Sequence, residues 1–147
     1  MSYTYDYPRA AVTADAVIIA GHLGSWQILL IERGRDPFKG KWALPGGFVD
    51  MDEDLDASAQ RELEEETGLV LPHLKQLHTF GAVNRDPRHR TITVAYYAMI
   101  DTPLPVNGLD DAADARWFPI DQLPPLAFDH DKIIGKAIEL LNLKQSR

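Results

Sequence analysis

One stretch, GFVDMDEDLDASAQRELEEETGL from Gly47 to Leu69, limits what this chain can fold into more than any other. It is a glycine loop that runs into an acidic helix. Gly46 and Gly47 permit positive φ and close backbone approach. Asp54 suits an N-cap and Gly68 the left-handed position that ends a helix, which predicts a helix from Asp54 through Thr67. Leu55, Ala59 and Leu63 recur every four residues and form its inner face. Glu62, Glu65 and Glu66 lie three and four apart, so they project together. Like charges at that spacing cost roughly a few tenths of a kcal/mol per pair. Stability does not select this arrangement. A divalent cation removes the penalty, because hard cations take carboxylate oxygens as ligands.

The net charge of −7 gathers in the same place. Residues 50–66 hold nine carboxylates against Arg61 alone, a local charge of −8, and the rest of the chain sums to +1. Such a window argues against duplex nucleic acid as a partner, since phosphate backbones call for Lys/Arg stripes. With 147 residues, 45% of them apolar, the chain is sized for one domain spanning 1–147. It has no cysteine, which fits a reducing compartment. The N-terminus lacks a secretory pattern, and no apolar run approaches the roughly 20 residues of a membrane helix. A cytoplasmic protein with no membrane partner is expected.

Around the acidic helix, residues 10–19 and 27–32 read as a strand hairpin across Gly21 and Gly24, and residues 74–82 as a strand. TITVAYYAMI (91–100) is the clearest strand, a short one passes through Arg116–Phe118, and a helix is expected from about His130 to Leu143. The whole reads as an α/β domain. Loop 83–90 carries Arg85, Arg88 and Arg90, whose guanidinium forks match phosphate oxygens. A solvated hairpin tip is the alternative. Trp42, Phe80, Tyr96 and Phe128 are candidates to stack a base, although each also suits a core. His130 sits between Asp129 and Asp131, where helix capping competes with a substrate or dimer contact.

Gly47, five residues, Glu53, seven residues, then Arg61-Glu62-Leu63-x-Glu65-Glu66-x-Gly68-Leu69 matches every fixed position of the Nudix box. A chance match to nine specified positions has a probability on the order of 10⁻⁹ per start site. The chain therefore resembles the Nudix hydrolases. HTFGAVNRDPRHRTITVAYYA and RWFPIDQLPPLAFDHDKII, with YPRAAVTADAVI and PFKGKWALPGGFV, extend the likeness over most of the chain. They are similar to the subgroup of ADP-ribose pyrophosphatases and of the sensor domains in transcription regulators of nicotinamide-cofactor metabolism. His89 departs from a frequent glycine there, and Ala10-Ala11 from a more usual Pro-Ser.

The resemblance implies an α/β/α sandwich with a mixed sheet, and Mg²⁺- or Mn²⁺-dependent hydrolysis of a nucleoside diphosphate linked to another group. ADP-ribose, cleaved to AMP and ribose 5-phosphate, is the first candidate. It assigns Glu62, Glu65 and Glu66 to the metal together with the Gly46 carbonyl, and has Arg61 orient a glutamate. Glu53 is expected to be structural. The general base stays open among the box glutamates and Asp86, Asp110 and Asp111. Arg85, Arg88, Arg90 and Phe80 are the expected substrate contacts, and a homodimer is expected, with Tyr3, Tyr5 and Tyr7 able to supply its surface. A ligand-sensing module and a housecleaning (d)NTP pyrophosphatase are the alternatives. The intact box, and an end soon after the last helix where regulators carry a winged-helix domain, favour the enzyme.

Overall fold

The computed structural model describes residues 2–143, so Met1 and residues 144–147 of the expected domain lie outside the described residues. In chain order the elements are β1 (Ala11–Ala20), β2 (Gln27–Arg33), β3 (Trp42–Ala43), β4 (Gly46–Phe48) and α1 (Leu55–Thr67). They continue with β5 (Lys75–Phe80), β6 (Thr91–Ile100), β7 (Ala112–Pro119) and α2 (His130–Leu140).

β1 is the axis. It pairs in parallel with β6 from Ala11↔Thr91 to Ala20↔Ile100, and antiparallel with β2 and β4. The sheet runs β3-β2-β1-β6-β5, with β4 also on β1 and β7 on β2. A strand with a helix on each face must be apolar on both sides, and Thr13–Ala20 is buried without interruption. Val17, Ile19, Ile28 and Leu30 pack with Ile133, Ile134 and Ala137 of α2. Ala14, Ala16, Ile18 and Leu29 pack with Ala59 and Leu63 of α1. The period of two sends alternate residues to opposite helices. The architecture is the expected α/β/α sandwich with a mixed sheet.

Leu63 is fully buried, which contributes about 2 kcal/mol, several times the repulsion between neighbouring glutamates. Apolar packing thus holds the acidic helix in place. Its ends differ from expectation at one point. Asp54 occupies the N-cap with extended backbone but makes no side-chain capping bond. Gly68 closes the helix at φ 77, donating its N–H to the Glu64 carbonyl. β3 and β4, at two and three residues, were not anticipated, because so short a strand shows no period. α2 ends at Leu140 rather than Leu143.

A candidate cation and anion cleft

A cleft of about 500 Å³ opens beside β4, lined by α1, the end of β2 and the loops at 85–88 and 110–111. Glu62, Glu65 and Glu66 form one wall. Two close approaches pack carboxylates against β4, one from α1 and one from β1. A Cβ on Gly47 would stand 2.7 Å from the Glu62 carboxylate, and one on Gly46 would stand 2.2 Å from Asp15 Oδ1. Glycine is required at both positions because carboxylates occupy the side-chain space. The Gly46 N–H donates to Glu66 Oε1 at 2.7 Å.

Glu66 is buried, although it shares a helical face with Glu62 and Glu65. Among the described residues no cation stands within ion-pair distance of it. Burial pushes its pKa up to about 8, with Glu62 and Asp15 adding to the rise against the Gly46 hydrogen bond. Glu62 is also raised by burial, opposed by Arg61. Arg61 holds the outer side together. Its Nε and Nη2 donate to Glu53 at 2.5 and 2.9 Å, and its Nη1 to Glu62 at 2.9 Å and Glu65 at 3.1 Å. The Arg61 hydrogen bond holds the Glu53 carboxylate at a pKa of about 2. Glu53 therefore ties the preceding loop to the helix.

This donor set suits a hard cation: oxygens only, with a buried carboxylate that has no positive partner. Among the described residues no three carboxylates or imidazoles stand together as a ready-made shell.

The same cleft also carries arginines. Arg88, Arg85 and Arg33 line it. Arg88 is anchored by Asp86, to which its Nε and Nη2 donate at 3.0 and 2.7 Å, and its guanidinium lies 5.0 Å from the Phe48 ring centre. Arg85 is held in the same bidentate way but is itself buried: Nε and Nη2 both donate to Asp129, at 2.9 and 2.7 Å. Half of its fork is committed to the fold. Arg90 turns away, donating to the carbonyls of Gly81 and Ala82. Phe80 packs at the edge of the α2-side core and does not line the cleft. Trp42 sits edge-on to Phe118, and buried Tyr96 donates its hydroxyl to Asp56. Of the aromatic candidates, Phe128 lines the cleft.

Sequence reasoning missed Arg33, Asp15 and Phe48. Arg33 sits at the end of β2, its Nε donating to the Pro37 carbonyl at 2.6 Å, with no carboxylate within ion-pair distance among the described residues. Burial, with help from neighbouring Arg88, lowers its pKa. Asp15 carried a legible signal, a lone carboxylate within the apolar run AVTADAVII; a buried charge there demands partners. It finds Thr93, whose hydroxyl donates to it at 2.7 Å. Asp86 accepts three bonds from Arg88. Burial opposes its ionised form, but those bonds outweigh it and keep the pKa below the usual range. His130 is buried and its pKa lowered by that burial, against Asp15 and Asp129.

Glutamates of α1 and arginines of β2 and the 85–88 loop thus line one cleft beside β4, a donor set that suits an anion held together with a cation. The NUDIX domain model matches residues 9–140, and the chain belongs to that family. An ADPR-responsive transcriptional repressor, NtrR, of Acinetobacter baylyi is 40% identical over 95% of this chain and 57% of its own length. The chain thus spans little more than half of that relative. An ADP-ribose pyrophosphatase of Methanocaldococcus jannaschii is 40% identical over 87% of this chain and 73% of its own. The NUDIX domain of Shewanella oneidensis NrtR, solved in complex with ADP ribose, superposes at a TM-score of 0.84. It is 36% identical, with 93% of this chain and 94% of that one covered.

Proposed function

We propose that this protein hydrolyses a nucleoside diphosphate sugar, ADP-ribose first, to AMP and ribose 5-phosphate. The observation that carries the reading is that Glu62, Glu65 and Glu66 line one cleft together with Arg33 and Arg88. A pyrophosphate is anionic along its length, so a wall of carboxylates alone repels it. Glu62, Glu65, Glu66 and the Gly46 carbonyl would hold Mg²⁺ or Mn²⁺. When bound, the metal neutralises phosphate charge and orients the attacking water. Water attacks one phosphorus of the anhydride, and the other phosphate departs with its sugar or nucleoside. Arg61 keeps Glu62 and Glu65 in place through charge-assisted bonds.

In the same cleft, Arg88 and Arg33 contact the phosphates through the guanidinium N–H groups not taken by Asp86 and the Pro37 carbonyl. Arg85 serves chiefly to brace the loop that presents Arg88. Asp86 is a poor general base, because Arg88 stabilises its ionised form. Support for the substrate comes from the pyrophosphatase relative and from the ADP-ribose held by the Shewanella domain. Incubation with ADP-ribose and Mg²⁺, followed by chromatography, is expected to yield AMP and ribose 5-phosphate in equal amounts. A signal of unreacted ADP-ribose at micromolar enzyme counts against the reading.

A second reading, an ADP-ribose sensor, is favoured by the repressor likeness. Calorimetric binding of ADP-ribose without turnover in Mg²⁺ supports the sensor, and turnover supports the hydrolase.

A further inference from the structure

Phe128 and His130, at the entry to α2, both line the cleft, with Asp129 between them in the chain. Phe128 has φ 53, a left-handed conformation rarely adopted by a bulky side chain. Its ring lies 5.0 Å from the Arg33 guanidinium and 5.4 Å from that of Arg88. Asp129 takes both donors of Arg85 and so ties down the arginine loop. His130, one residue on, reaches the other way: its Nδ1 accepts the Leu44 N–H at 3.0 Å.

A backbone amide can only donate, so Nδ1 must present a lone pair and the ring proton belongs on Nε2. Nε2 lies 3.7 Å from Asp15 Oδ2. The other oxygen of Asp15 fills the space beside Gly46. Leu44 precedes Gly46 by two residues, and the Gly46 N–H holds Glu66. A run of contacts therefore leads from His130 through the Leu44 backbone to the carboxylate wall. Asp129 of the same turn holds the arginine loop.

We propose that His130 is a positioning residue: Nδ1 pins the Leu44 amide and thereby sets where the Gly46-Gly47 strand stands against Glu62 and Glu66. Together with Asp129 it fixes how the cleft's carboxylates and arginines stand to one another. The kinetic consequence rests on the hydrolase reading; the pin itself does not.

Isosteres separate the two ring nitrogens. Asparagine places its Oδ1 where Nδ1 stands and retains the acceptor for Leu44. Glutamine places its Nε2 where the ring Nε2 stands and retains only the donor toward Asp15. Amide hydrogen exchange in the full chain, without substrate, is the first readout. His130→Leu and His130→Gln are expected to speed exchange at Leu44 and Gly46 by about tenfold or more, the worth of one hydrogen bond, while His130→Asn stays within about threefold. With ADP-ribose, the Leu and Gln variants should lose about tenfold or more in kcat with KM nearly unchanged. The Asn variant should recover most of that loss.

Unchanged Gly46 exchange in His130→Leu overturns the proposal, because the pin then stops at Leu44. So does wild-type kcat in His130→Gln with loss in His130→Asn, which transfers the role to Nε2. Should the leucine variant fail to fold, the asparagine and glutamine variants decide alone. If wild-type protein does not turn over ADP-ribose, the hydrolase reading fails, and exchange at Gly46 still decides the pin.

Discussion

The Glu62 carboxylate of α1 rests against Gly47 of β4, 2.7 Å from where any Cβ would stand. The glycine is thus part of the carboxylate's position. Gly47→Ala must displace Glu62 or the strand. It is expected to lower kcat on ADP-ribose by about 10² while leaving the far-ultraviolet dichroism unchanged, a loss on the scale of one well-placed electrostatic group. Initial rates check it, and activity above a third of wild type would show that Glu62 needs no such seat.

Replacing the carboxylates themselves tests the cation wall. Glu62→Gln relieves the push of Glu62 on Glu66, and Glu66→Gln replaces a carboxyl whose pKa is pushed up to about 8 with a neutral group that can still accept the Gly46 N–H, so the fold should survive. Turnover should fall at least about 10²-fold. The wild-type melting temperature should rise with millimolar Mg²⁺ or Mn²⁺, since binding to the folded state alone stabilises it, and that rise should shrink in both variants. Retention of more than a tenth of wild-type turnover, or an unaltered melting shift, contradicts the assignment.

Arg85 and Arg88 look alike in sequence and should behave differently. Arg85→Ala leaves Asp129 in a nearly buried site without its partner, a loss of about 3 kcal/mol or more, or roughly 6–12 °C in melting temperature. Arg88→Ala removes a cation from the cleft and leaves the Asp86 carboxylate, 2% exposed, without its partner, so it too should lower the melting temperature. It should cost one to two decades in kcat/KM, the worth of a charge-assisted hydrogen bond at about 1.5–3 kcal/mol. Thermal scans and initial rates on both variants decide, and a stable Arg85→Ala protein with poor KM would reverse the roles.

Acid stability reports on the Arg61–Glu53 pair. The folded Glu53 carboxylate is held at about 2, below its unfolded value of 4.5. Between those values the unfolded chain binds more protons, so stability rises with pH there and the contribution is lost as pH falls from 4.5 toward 2. Glu53→Gln should flatten that segment of the stability curve, measured by urea unfolding at stepped pH. An unchanged slope means that Glu53 gains nothing from Arg61.

Legibility followed locality. The acidic helix could be read because Leu55, Ala59 and Leu63 set its inner face and Gly68 its end, all within one stretch. The strands at 11–20 and 91–100 were legible from β-branched content, and their parallel pairing makes the sheet mixed. β3 and β4 were not, since a two- or three-residue strand exists only through its partners. Burial of Glu66 was hidden for a similar reason: helical spacing shows which residues share a face, and not that β4 covers it. Arg85 looked free because its partner Asp129 is 44 residues away. Phe80 and Arg90 looked available because the way a strand or loop residue faces is set by tertiary packing. Arg33 was invisible as one more polar residue after an apolar run, and only the fold brings it beside Arg88.

Substrate preference tests the central claim most directly. Initial rates should be compared for ADP-ribose, NADH, sugar nucleotides and dNTPs at equal concentration with Mg²⁺. With the carboxylates lining one cleft together with Arg33 and Arg88, kcat/KM for ADP-ribose is expected to exceed that for any dNTP by tenfold or more, or about 1.4 kcal/mol, with AMP as product. A dNTP preferred over ADP-ribose by the same margin would contradict the account.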